Sequence, residues 1–166
     1  MVLERLRLRL ARQEDGADQA EVFYHAIMQG AVSHYDRAQR EAWASALPRE
    51  ALAWSVRQLS YRTLVADLDR RCVGFCELDL ATGQIVTLYV WPTLQGQGIG
   101  MRLLETAIDQ AREAGLKSVS IEASLMLAPR LAGQGWERIG QESVERNGVS
   151  LERVRLRRPL NPIESE

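Results

Sequence analysis

Cysteine is nearly missing from this chain: its 166 residues include two, Cys72 and Cys76. Set four residues apart on a predicted strand, they share one face at a spacing of about 13 Å, too far for a disulfide. Free thiols of this kind point to a cytoplasmic domain. Long apolar runs are also missing, and none nears the roughly 18 residues of a membrane span. Arg5, Arg7 and Arg9 break the N-terminal leucines where a signal peptide would be unbroken. There is no basic excess, since 21 Lys and Arg stand against 22 Asp and Glu for a net charge of −1. That balance removes the electrostatic argument for a nucleic-acid partner. No internal repeat, linker or low-complexity segment interrupts the chain. Its length predicts a single domain over residues 1–160, with 161–166 as a frayed tail.

What is present alternates between two periodicities. Leu6, Leu8 and Leu10 alternate with Arg5, Arg7 and Arg9, which predicts a strand with one buried face. A helix follows from Asp15 to about Ile27, with Gly30 as its stop. Asp36 caps a helical stretch over 37–47, and Pro48 is placed to open another through about Gln58. Residues 61–66 and 72–80 read as a hairpin around a turn at 67–71, and 85–91 as a strand closed by Pro92. The best helix is amphipathic: Ile99, Leu103, Leu104, Ala107, Ile108 and Ala111 recur at three- and four-residue steps, and Gly115 ends it. A strand over 118–122, a helix over 125–131 and a hairpin of 136–144 with 150–158 complete the pattern, the last joined at Asn147-Gly148. This mixed order implies a mixed sheet with helices on both faces, an α/β or α+β sandwich.

The stretch that carries chemistry is Ile85 to Gly100, a strand, a proline, a loop with glycines at 96, 98 and 100, and the amphipathic helix. Glycine lets backbone amides approach a ligand and adopt positive φ, while a helix N-terminus presents unpaired amides with partial positive charge. Together they suit a phosphate. The spacing fits neither a dinucleotide fingerprint, because Met101 stands three residues after Gly98, nor a triphosphate loop, because no Gly-Lys-Ser/Thr follows. A glycine-rich turn can also be a plain connection. Gln95, Pro92 and the strand running straight into the loop favour the anion site.

Gln95-Gly96-Gln97-Gly98-Ile99-Gly100 resembles the pyrophosphate-binding motif of the GNAT superfamily of acyl-CoA N-acyltransferases. Leu88-Tyr89-Val90-x-Pro92 resembles that family's fourth strand and its exit, and Gly135-Trp136 the pair that closes its motif B. Nearest in pattern are small bacterial members of the YafP type, through His34-Tyr35, Gln39, Ala42-Trp43-Ala44 and Glu122-Ala123-Ser124. The resemblance implies a GNAT fold with a splayed, mixed, seven-stranded sheet. It implies acetyl-CoA as co-substrate, with no metal. The backbone of Leu88, Tyr89 and Val90 would pair with the pantetheine, and Gln95, Gly96, Gln97, Gly98, Ile99 and Gly100 would form the pyrophosphate loop. The implied reaction is direct attack of a primary amine on the thioester, the acceptor being a small molecule or a protein amine. Dimers are also implied, as many members dimerise.

For proton transfer the pattern offers few candidates. The position of the family's motif B tyrosine is Leu131, and its frequent asparagine is Ser124. Either the thiolate leaves as the anion or through water, or another residue supplies the proton, or the domain is an acyl-CoA-binding sensor that does not turn over. His34 is a candidate base with a near-neutral reference pKa, against the alternative of an exposed loop histidine. Tyr35 is a candidate to orient substrate or lend a proton, and Glu122 to take the amine's proton through water or to cap the helix after it. Glu77 and Asp79 have faces that alternation does not assign. Trp43 and Trp54 are candidates for an aromatic wall on the acceptor side, and Trp136 for the core. Arg153, Arg155 and Arg157 read as a solvated strand face.

Overall fold

The computed structural model describes residues 2–161. Seven strands form one sheet: β1 (Arg7–Leu10), β2 (Arg62–Leu68), β3 (Arg71–Leu78), β4 (Gln84–Val90), β5 (Ser118–Ser124), β6 (Glu137–Arg146) and β7 (Val149–Pro159). Their order is β1-β2-β3-β4-β5-β7-β6. All neighbours run antiparallel except β4 and β5, which are parallel. The helices are α1 (Val2–Arg5), α2 (Gly16–Met28), α3 (Arg37–Ala44), α4 (Ala51–Arg57), α5 (Ile99–Glu113) and α6 (Ala128–Leu131). None is long and apolar enough to cross a membrane. The predicted tail beyond residue 161 lies outside the described residues.

Two apolar layers cover the sheet. On one face the periodic side chains of α5 pack on Leu64, Cys76, Leu78, Val119, Ile121, Val154 and Leu156. Ile99, Leu103, Leu104 and Ile108 are fully buried there, each contributing about 1.5–3 kcal/mol of gross transfer free energy. On the other face Phe23 and Ile27 of α2 and Trp54 of α4 pack on Val65, Cys72 and Phe75. Gly115, at φ +85°, ends α5 where expected, with the Leu116 amide returning to the Ala111 carbonyl.

The parallel pair holds the fold's main irregularity. β4 and β5 pair only at Gln84–Ser120 and Ile85–Ile121. Beyond that point Thr87–Val90 stays on β3, while β5 follows β7 through Ser124. The sheet therefore splits into a V as predicted, with backbone groups of β4 facing the gap.

Several expectations are corrected. Cys72 and Cys76 do not share a face: Ala66 pairs with Gly74 but Asp67 with Cys72, so an extra residue, Val73, bulges between them. Cys72 consequently lies in the α2 layer and Cys76 in the α5 layer. The N-terminal alternation is only partly kept. Leu10 is exposed, whereas Arg9 is largely buried between Asp15 and Asp67, at 2.7 and 2.8 Å. Burial pushes the Asp15 carboxyl up, but hydrogen bonds from Arg9 and the Arg12 amide outweigh it and hold it below the usual carboxylate range. Pro48 does not open α4, which begins at Ala51 after Glu50. Gly30 is not a left-handed stop. A Cβ there would come within 2.3 Å of the Ala26 carbonyl oxygen and 2.4 Å of Gln95 Nε2, so it is glycine for close approach.

Candidate active site

The strand-to-helix connection after β4 is built from local geometry. Gly96 and Gly98 have φ of +80° and +89°, and Gly98 is the N-cap of α5. A Cβ added at either position meets nothing within 4 Å, so the space above the loop is open. No acceptor among the described residues pairs with the amides of residues 96–101. Six consecutive donors at the positive end of a 15-residue helix make a cradle whose chemistry suits an anion. Gln95 plays a different part from the amides. Its Nε2 donates to the Val90 carbonyl at 3.2 Å and its side chain lies on Gly30, bracing the loop against the end of α2.

This cradle opens into a cleft of about 550 Å³ that follows the V, lined by Leu88, Tyr89, Val90, Gly96, Gly98 and Gly100 on one side and Ile121–Ser124 on the other. The Trp91 amide donates to Val73 on β3. Because backbone direction alternates along a strand, Leu88 and Val90 turn their N–H and C=O groups into the gap and Tyr89 turns its own toward β3. Tyr89 contributes its side chain instead. Its ring meets Phe23 edge-on at 5.1 Å, and its hydroxyl accepts from Trp43 Nε1 at 3.1 Å. Burial pushes its pKa up, only partly offset by that hydrogen bond, and no acceptor among the described residues takes its proton.

A second cavity of about 370 Å³ lies on the α2–α4 face and shares Trp43, Thr87, Tyr89, Glu122 and Ser124 with the first. The cleft therefore passes through the split in the sheet from one face to the other. With this geometry the likeness to known proteins has a structural meaning. Residues 17–157 match the Acetyltransferase (GNAT) domain family. The chain belongs to the GNAT acetyltransferase family. A GCN5-related N-acetyltransferase from Rhodopseudomonas palustris superposes with a TM-score of 0.85 at 30% identity, covering 93% of this chain and 95% of its own. A putative acetyltransferase from Salmonella typhimurium, solved with acetyl-CoA, gives 0.70 at 23% identity, with 97% of each chain covered. An IAA acetyltransferase from Azospirillum brasilense is 37% identical over 75 residues, 43% of this chain. The chain spans about half the length of that relative, 49% of it.

Within this GNAT fold the candidate proton-transfer residues differ sharply in placement. Glu122 lies within β5, which extends to Ser124. It is thus no helix cap, and α6 begins only at Ala128. Its carboxylate pairs with Arg153 Nη1 at 2.9 Å, and it lines both cavities. His34 is exposed, lines the donor cleft alone and has Ser33 Oγ at 2.7 Å from Nδ1. Tyr35 is buried with its hydroxyl committed to the backbone, donating to Glu152 O at 2.8 Å and accepting from the Leu125 amide at 3.0 Å. Leu131 is fully buried in the α5 layer. Trp43 lines both cavities, but Trp54 is fully buried and no part of a substrate wall. Trp136 is in the core as expected.

Two sets of ion pairs escaped sequence reasoning. Arg57 grips the fully buried Glu77 through two hydrogen bonds, 2.9 Å from Nε and 2.6 Å from Nη2, and Thr87 adds a third at 2.8 Å. Arg57 also lines the second cavity. Arg153 is not merely one of a solvated row, because it bridges Glu122 and Glu142. No sequence signal marks these pairings. Their partners lie on different elements, and only the assembled sheet brings them together. Arg57→Ala leaves the buried Glu77 carboxylate without its counter-charge, with only the Thr87 hydroxyl donating to it, and is expected to lower stability by about 3–5 kcal/mol. An Arg57→Met/Glu77→Leu double variant should recover most of that loss, both being read by urea unfolding.

Proposed function

We propose that this protein transfers acetyl from acetyl-CoA to a primary amine by direct attack within a ternary complex. The observation that carries this reading is the run of unpaired amides at residues 96–101, opening into a cleft that crosses the sheet between β4 and β5. The loop amides would hold the pyrophosphate, and Leu88 and Val90 would pair with the pantetheine. A thioester lying along β4 would then sit where the two cavities meet.

The amine nitrogen forms the new bond to the thioester carbon, and the carbon–sulfur pair moves onto sulfur. Glu122 is the proposed base for the amine's proton through water, since it alone of the charged candidates borders both cavities. Tyr89 keeps its proton and would offer a hydrogen bond to the departing sulfur, the role that buried Leu131 cannot fill. A chain that bound acetyl-CoA without turnover would be the sensor alternative. Thiol release across a panel of amines, beside thermal protection by acetyl-CoA, separates the two. Release with at least one amine is expected. Protection without release from any amine would leave only the sensor.

A further inference from the structure

The acceptor cavity is bounded on one side by a seam that bears on its occupant. Three hydrogen bonds tie the segment from the end of α2 through α3 to the β6–β7 hairpin. Tyr35 donates to Glu152 O at 2.8 Å, Gln39 Nε2 to Ser150 O at 3.2 Å, and Asn147 Nδ2 to Ser45 Oγ at 2.7 Å. Tyr35, Ala31 and Leu151 form a small buried cluster along the same seam, with Trp43 and Val144 against it. A polypeptide could not enter from the α3 side without breaking that seam. The space inside, about 370 Å³, is of the size that holds one small ligand.

Its walls are unusually aromatic for a chain with 6% aromatic residues. Phe23, Tyr35, Trp43, Tyr61 and Tyr89 all face it. Edge-on and tilted contacts at 5.1, 5.2 and 6.2 Å join four of them into one layer. A ring placed against such a layer gains burial and aromatic geometry together, the pair term alone being about 0.5–1.5 kcal/mol. A polycation gains no such ring contact, and the charges that line the cavity, Arg57, Arg146 and Arg153 beside Glu122 and Glu152, are near balance, with Arg57 and Arg153 already paired to carboxylates, so they add little attraction for further ammonium groups.

We infer that the acceptor is a small free amine carrying an aromatic ring, not a polypeptide amine or a polyamine. This rests on the transferase reading above. The test is thiol release from acetyl-CoA with phenethylamine and tryptamine, beside spermidine and a short peptide bearing a free N-terminus and one lysine. The expected result is a kcat/KM for one of the aromatic amines at least 100-fold above those for spermidine and the peptide. Tyr61→Leu, at the half-buried edge of the cavity, should narrow that ratio at least fivefold while acetyl-CoA protection is kept. If the peptide or spermidine is preferred, the inference is overturned and the transferase reading stands. If no amine releases thiol while acetyl-CoA still protects, the transferase reading falls and takes the inference with it. If Tyr61→Leu does not fold, the wild-type panel decides alone.

Discussion

Gly98→Trp is expected to abolish thermal protection by acetyl-CoA, with the dissociation constant raised at least 100-fold, about 2.7 kcal/mol or more. Two effects combine. At φ +89° an L-residue takes up the left-handed region at a cost of roughly 1–2 kcal/mol, and the indole fills the open space above the amides of 96–101. Gly115→Ala separates strain from occlusion. Gly115 also has positive φ, at +85°, and open space around it, but it ends α5 at the far side from the cradle. It should lower the melting temperature without touching protection. Protection that survived in Gly98→Trp would remove the pyrophosphate assignment.

Glu122→Gln carries the second large effect. Glutamine keeps the shape and a hydrogen-bond acceptor for Arg153 but cannot hold a proton, so kcat should fall by about 10²–10⁴ while acetyl-CoA binding stays within twofold. His34→Ala should keep kcat within about threefold, because the imidazole borders only the donor cleft. The base assignment fails if Glu122→Gln leaves kcat as in wild type.

The parts of the molecule that were legible in the sequence are those governed by near neighbours. The helix over 99–113 follows from six apolar residues at three- and four-residue steps. Its loop follows from glycines that can take φ near +80° to +90°, and the hairpin at Asn147–Gly148 from two residues that tolerate positive φ. The faces of β3 were not legible. A single bulge at Val73 exchanges the sides of Cys72 and Cys76, and that bulge is a property of pairing with β2. Glu77 illustrates the same limit. Neither its burial nor its partners, Arg57 on α4 and Thr87 on β4, can be found from its own neighbourhood.

The donor half of the site was therefore determined by the sequence itself, because backbone amides, positive φ and a helix N-terminus are local facts that a short motif specifies. The acceptor half was decided only by tertiary structure. Two ladder pairs between β4 and β5 set where the sheet splits. Three side-chain bonds to the β6–β7 hairpin set how far the cavity closes. Arg57, Glu77, Glu122 and Arg153 meet across α4, β3, β5 and β7. Such contacts depend on how elements far apart in the chain are docked, and no periodicity within one element records that docking.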